Sequence, residues 1–122
     1  MTTLQFTSTV NSSQNIPVNS DATIVNQDSD TDSKGGPIGF DTMYVTQGPP
    51  GDNAMTADAA FAFDGGFLYA TFSTADGQSW TGQVTGGSGK FKGATGTGTA
   101  TATSDSPYPW VWTQLEITLD YS

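Results

Sequence analysis

Met55-Thr56-Ala57-Asp58-Ala59-Ala60-Phe61-Ala62-Phe63-Asp64-Gly65-Gly66-Phe67-Leu68-Tyr69-Ala70-Thr71-Phe72-Ser73-Thr74 decides the fold class. On the first arm Met55, Ala57, Ala59, Phe61 and Phe63 fall on one face and Thr56 and Asp58 on the other, the period of two that a half-buried strand requires. Asp64-Gly65-Gly66 supplies turn chemistry, and Phe67 to Thr74 resumes as a second arm, so the segment predicts a β-hairpin.

Outward from this hairpin the same punctuation recurs. Thr3 to Val10 predicts a first strand, and Asn11 to Ser20 a polar loop. Ala22 to Gln27 predicts a short second strand, Asp28 to Gly36 an aspartate-rich turn, and Ile38 to Gln47 a third strand. Gly48-Pro49-Pro50-Gly51-Asp52 must be a loop, because neither proline can donate to a ladder. Trp80 to Thr85, Thr95 to Thr103 and Trp110 to Tyr121 complete the set. In the last, Val111, Thr113, Leu115, Ile117, Leu119 and Tyr121 share a face opposite Trp112, Gln114, Glu116, Thr118 and Asp120. Eight short strands about a dozen residues apart, with no helical period, predict an all-β, eight-stranded antiparallel up-and-down barrel, with a β-sandwich as the alternative. Closure also removes the sheet edges that would otherwise template aggregation. With 122 residues, one domain spanning 1–122 is expected.

Twelve acidic residues against three lysines and no arginine give a formal charge of −9, which repels phosphate backbones and anionic bilayers, so neither nucleic acid nor membrane is an expected partner. Without arginine there is no bidentate fork for an anion, and a neutral, apolar small molecule is the expected ligand. The absence of histidine and cysteine argues against a Ser-His-Asp triad, thiolate chemistry or a zinc site, and no cofactor is expected. Met1 to Val10 lacks the basic and apolar regions of a leader, so the chain is expected to be soluble, and cytoplasmic if Met1 is the native start.

Three local patterns mimic known sites. Gly86-Gly87-Ser88-Gly89-Lys90 suggests a phosphate loop, but Phe91 stands where a magnesium-binding hydroxyl belongs; glycines at a barrel corner, with Phe91 as an inward plug, are the competing reading. Asp28, Asp30 and Asp32 mimic the start of a calcium loop, yet Gly39 replaces the glutamate such a loop needs, and a solvated acidic turn is preferred. Asn11-Ser12-Ser13 is a glycosylation sequon that matters only in a secreted chain.

The segment Val84 to Gly96 resembles the signature turn of the allene oxide cyclase and dirigent barrels, GG-[ST]-G-x-[FY]-x-G-A-x-G. Ile38-Gly39-Phe40, the Thr46-Gln47-Gly48 loop and the hairpin fall where those proteins place their middle strands. The resemblance covers about 21–122 and implies an up-and-down barrel with an internal apolar cavity, a homotrimer or homodimer, and chemistry such as epoxide cyclisation, stereo-directed phenoxy coupling or natural-product cyclisation. The family's functional acids do not carry over intact. The cyclases' first-strand glutamate falls near Thr9, the dirigent aspartate pair falls at Gln27-Asp28, and the dirigent arginine has no counterpart.

The expected activity is therefore that of a cofactor-independent cyclase or isomerase, with a non-catalytic binding or stereo-directing barrel as one alternative and a structural, filled barrel as another. Tyr44, Tyr69, Asp41 and Glu116 are the candidate catalytic residues, hydroxyls and carboxyls able to polarise a reacting group or move its proton. Glu116 serves only if its face lines the lumen; if the Val111 to Leu119 face is the core, it is solvated. Phe40, Phe61, Phe63, Phe72, Trp80 and Trp112 are the expected cavity lining, with core packing or a subunit interface as their other roles.

Overall fold

The structure, a computed structural model, describes residues 2–18, 21–32, 34–47, 54–103 and 111–120, and side-chain surroundings at 3–14, 24–32, 34–46 and 54–101. Eight strands follow in chain order: β1 (Thr2–Val18), β2 (Asp21–Thr31), β3 (Pro37–Gln47), β4 (Met55–Phe63), β5 (Gly66–Thr74), β6 (Ser79–Gly87), β7 (Thr95–Thr103) and β8 (Val111–Asp120). Each pairs antiparallel with the next, and β1 pairs with β8, so the sheet closes into a barrel. The sandwich alternative is thereby excluded. No helix among the described residues is long and apolar enough to cross a membrane.

The predicted hairpin occurs as read, β4 and β5 pairing from Phe63 opposite Gly66 to Met55 opposite Thr74. Two other expectations are corrected. Asn11 to Val18 continues β1 as strand, with a bulge between Val10 and Ser12, and pairs with the first half of β2 from Ser12 opposite Gln27 to Val18 opposite Asp21. Cross-strand pairing, not apolar content, keeps this polar segment in the ladder. The aspartate-rich turn also begins later than expected, because β2 runs through Asp28 and Asp30 to Thr31.

Of the three aspartates in that run only Asp32 lies in the turn: its Oδ1 accepts from the backbone N–H of Lys34 (2.9 Å) and of Gly36 (2.8 Å). At the other end of the barrel Asp76 does the same for the β5–β6 turn, accepting from Gln78 N–H (2.8 Å) and Ser79 N–H (2.9 Å). Such Asx turns substitute a carboxylate for a missing backbone acceptor and define where the strands stop.

The Gly-rich segment after β6 forms a 3-10 turn over Gly89–Phe91. Gly89 has φ +60°, and a Cβ there would meet the Gly65 carbonyl oxygen at 2.2 Å, so only glycine lets this turn dock on the β4–β5 hairpin. Lys90 N–H donates to Gly65 O and Ser88 N–H to Phe67 O across that junction. Phe91 is buried and points inward, the plug expected from the corner reading and incompatible with a phosphate loop.

Inward positions alternate along β1 to β7 wherever side chains are described. Met43 and Val45 on β3, Ala57, Ala59 and Phe61 on β4, Leu68, Ala70 and Phe72 on β5, and Trp80 and Val84 on β6 form one core inside the barrel. Phe6, Phe61, Phe63 and Phe91 interlock near one end. Phe6 meets Phe61 and Phe63 edge-on at 5.5 and 5.3 Å, and Phe63 meets Phe91 at 6.0 Å. Each such pair adds about 0.5–1.5 kcal/mol beyond the area it buries.

Candidate functional site

Inside the barrel the apolar pattern breaks on three neighbouring strands. Ser8 of β1, Asn26, Asp28 and Asp30 of β2, and Asp41 of β3 are all buried. The alternation that carries Ile24 inward carries Asn26, Asp28 and Asp30 inward after it. Register then assembles the group, with Asp28 directly opposite Asp41 and Ser8 directly opposite Asp30. Side chains directly opposite in an antiparallel pair lie about 4.5–5.5 Å apart at Cβ, so these carboxyls are close neighbours.

The Ser8 hydroxyl donates to Asp41 Oδ2 at 2.8 Å. Among the described residues nothing donates to the other five carboxyl oxygens of Asp28, Asp30 and Asp41, and the Asn26 amide has no partner at either its oxygen or its nitrogen. Buried polar atoms are nearly always paired, so an orphaned set of this size calls for an explanation and is the candidate site.

Burial dominates the titration. Asp28 is pushed from an ordinary 3.8 to about 9, first by desolvation and then by its proximity to Asp41, with Ser8 opposing. Asp30 rises to about 6, again by burial, with its closeness to Asp41 and Ser8 holding it down and the Asp28 charge adding to the rise. Burial also lifts Asp41 well above the usual carboxylate range, while contact with Asp28 lowers it and contact with Asp30 raises it. Carboxyls this close cannot all ionise without a cation between them. At neutral pH the cluster thus keeps a carboxylic acid beside a carboxylate, the pairing that general acid–base chemistry requires.

Of the expected catalytic residues, the structure brings Asp41 into this cluster. Tyr44 and Tyr69 lie on the outer wall, 53% and 40% exposed, because each sits between inward neighbours, Met43 and Val45 for one and Leu68 and Ala70 for the other. Glu116 holds a β8 register position between Gln5 and Thr99, both exposed, and its side chain is outside the described set. Among the expected cavity residues, Phe61, Phe72 and Trp80 are inside and Phe63 is half-buried. Phe40 points outward at 65% exposure, the neighbour of inward Asp41. The Trp112 side chain, like Trp110 altogether, lies outside the described set.

Ser8, Asn26, Asp28 and Asp30 were not anticipated as site residues. Their signal was present in the period-two run Ile24-x-Asn26-x-Asp28-x-Asp30, masked by the turn preference of aspartate. The calcium-loop pattern fails for the same reason: Asp28 and Asp30 face the interior while Asp32 folds back on its own turn. Among the described residues no group of three carboxylate, histidine or cysteine side chains is arranged to hold a metal ion.

A recess of about 350 Å³ opens at the end of the barrel where β1 and β3 begin, lined by Leu4, Ile38, Phe63 and Phe91, with Asp64 and Lys90 at its rim. Phe63 connects it to the cluster: it pairs with Gly39, and Gly39 pairs with Asp30. A Cβ on Gly39 would sit 2.8 Å from Phe63 Cδ1 and 2.2 Å from the Ala62 carbonyl oxygen, so Gly39 fixes where that ring lies.

The closed barrel has counterparts among solved structures. A pyocyanin demethylase superposes with a TM-score of 0.78 at 16% identity, over 98% of this chain and all of the other. A pterocarpan synthase dirigent protein superposes at 0.73 and 16% identity, over 97% of this chain and 82% of its own. The chain shares the fold of both. An exo-specific intermolecular Diels-Alderase shares it at 0.65 and 10% identity, over 95% and 96% of the two chains. No family model and no curated protein matches this chain by sequence.

Proposed function

We propose that the barrel binds a small molecule with a largely apolar body and acts on it as a cofactor-independent cyclase or isomerase, with Asp28, Asp30 and Asp41 as its acid and base. The observation that carries this reading is the set of buried, unpartnered carboxyl oxygens inside an otherwise apolar lumen. A protonated member, Asp28, donates to an oxygen or nitrogen of the guest where charge develops. The ionised member, Asp30, removes a proton elsewhere on the same molecule. Each proton given is matched by one taken, so the reaction is redox-neutral and the cluster keeps its proton count; transfer of the proton from Asp30 back to its neighbouring carboxyl resets it for the next turnover. Exclusion of water strengthens both interactions, and the enclosing rings restrict the guest to few conformers.

Three solved structures with this fold bear the names of a demethylase, a dirigent synthase and a Diels-Alderase, which supports small-molecule chemistry in such a barrel without selecting a reaction. The test is product analysis after incubation with polyene, epoxide and phenolic panels. Asp30→Asn and Asp41→Asn should each lower turnover by about 10²–10⁴, the usual contribution of a positioned acid or base. Turnover unchanged in both variants overturns the catalytic reading. Binding without conversion would instead make this a stereo-directing or carrier barrel, and no binding at all a filled, structural one.

The homotrimer or homodimer that the resemblance implies would use the outer face of β3 to β5, where Phe40, Tyr44, Phe67 and Tyr69 are exposed around Ala60 and Ala62. Sedimentation of wild type against the Phe40→Ser, Phe67→Ser double variant tests it, and a monomeric wild type overturns it.

A further inference from the structure

The basic side chains of this chain are gathered at one end of the barrel. It has three lysines and neither arginine nor histidine. Lys34 stands in the turn between β2 and β3, and Lys90 and Lys92 in the glycine corner between β6 and β7, so all three belong to the end where the apolar recess opens. The β5–β6 turn at the other end carries Asp76 and no basic residue. None of the three ammonium groups is ion-paired among the described residues; that of Lys90 lies over the Phe91 ring, 5.1 Å from its centroid. Gly65 leaves room for this, since a Cβ there would meet Lys90 Cδ at 2.9 Å. The ammonium is thus held against a ring that lines the recess, although Asp64 stands on the same rim.

Beside Lys90 the lining is apolar and only partly covered. Leu4 and Phe63 stand at the ends of β1 and β4, and both are half-buried. Ile38 is skipped by the β2–β3 register, which passes from Gly39 to Pro37, and this bulge packs it against the core. With Phe91 they line the recess of about 350 Å³, within the size range of small-molecule pockets.

We infer that this recess binds a small ring-bodied molecule ending in a single carboxylate, its rings lying on Leu4, Ile38, Phe63 and Phe91 and its carboxylate meeting the Lys90 ammonium. Binding there stands whether or not the buried carboxyls act on the guest. The ligand expected from composition is neutral; the placement of the lysines gives it one anionic end. Phe63 and Phe91 favour a ring, which they can meet offset or edge-on. A phosphate fits less well, because lysine is a point charge without the arginine fork, and Asp64 together with the net charge of −9 repels a dianion. At physiological salt exposed charges more than about 8 Å apart are largely screened, so Lys90 in contact with a monoanion outweighs the more distant acids.

The probes are 2-naphthoate and its neutral counterpart 2-naphthamide, dialysed to equilibrium against the whole chain at about pH 7.5. At about 0.15 M salt naphthoate should bind about fivefold tighter, and about 1 M salt should bring the two within about twofold, as a partly exposed ion pair requires. Lys90→Gln should remove the preference and leave affinity for the amide within about twofold, whereas Lys90→Arg should keep it. On wild type, naphthoate should shift the methyl and ring resonances of Leu4, Ile38, Phe63 and Phe91, which places the probe without any variant.

Equal binding of the two probes at physiological salt, a preference that survives Lys90→Gln, shifts confined to residues outside the recess, or no binding of either probe overturns the inference. If it falls while a panel compound is still turned over in a carboxyl-dependent way, the acid–base function survives without it. If naphthoate binds in the recess while no panel compound is turned over, the binding site stands and the catalytic reading falls.

Discussion

Replacing Asp28 by asparagine should stabilise this barrel at neutral pH and leave it unchanged in acid. The native state holds the Asp28 proton until about pH 9, whereas the unfolded chain loses it near 3.8. Between those values the native state binds one proton more, so stability falls as pH rises, by about 1.4 kcal/mol per pH unit. The contribution is fully present below pH 3.8 and is lost progressively up to about pH 9. From pH 5 to pH 8 Asp28 alone therefore costs about 4 kcal/mol, or about 2 once water penetration and relaxation of the buried site are allowed for. Asp41 pulls in the same direction, and Asp30 joins between 3.8 and about 6. Asp76 works the other way, its carboxylate held low by the turn N–H groups, but its contribution is lost only as pH falls below 3.8. Urea unfolding followed by tryptophan fluorescence should give a wild-type stability at least about 2 kcal/mol greater at pH 5 than at pH 8. Asp28→Asn should flatten that slope, exceeding wild type at pH 8 and matching it near pH 4. Wild-type stability that is level or rising between pH 5 and pH 8 would refute the burial argument on which the site rests.

Further outcomes follow from the same geometry. Gly39→Ala forces a Cβ against the Ala62 carbonyl and the Phe63 ring, and should cost about 1–3 kcal/mol by thermal unfolding, as overpacking does. Phe63→Ala should cost about 2–4 kcal/mol by removing a ring from the four-ring cluster, and it should also quicken guest association measured by stopped-flow quenching, because it opens the recess toward Asp30. Asp32→Ala deletes the acceptor for two turn N–H groups and should cost about 1–2 kcal/mol, with turnover unchanged; a loss of turnover would place Asp32 in the site after all. Tyr44→Phe and Tyr69→Phe, on the outer wall, should leave turnover within about twofold, whereas Asp41→Asn should abolish most of it.

The strand pattern, the hairpin and the glycine corner could be read directly, because each rests on neighbours in sequence. Period two in Met55 to Phe63 assigns faces without knowledge of any partner strand. The sequence Gly87-Ser88-Gly89 followed by Phe91 announces a tight turn with one inward ring. Asn11 to Val18 was misassigned because its polar residues stay in the ladder through pairing with β2. Asp28 and Asp30 were misassigned because aspartate favours turns whenever no tertiary contact overrides it.

The site itself belongs to the second category. Residue order determined that this chain is all-β, and composition that it is acidic and free of histidine and cysteine, so that acid–base chemistry falls to its carboxyl, hydroxyl or few lysine groups. Asp41 could be singled out as an acid inside a strand, but its role depends on what stands across the ladder from it. Only the pairing register of β1, β2 and β3 put Asp28 opposite Asp41 and brought Ser8 beside Asp30, and only the choice of inner face turned Tyr44 and Tyr69 to the outside. The physical reason is that strand propensity and alternation are local, whereas register and burial are shared among strands, and a carboxyl's protonation is set by the neighbours and the dielectric that register and burial give it.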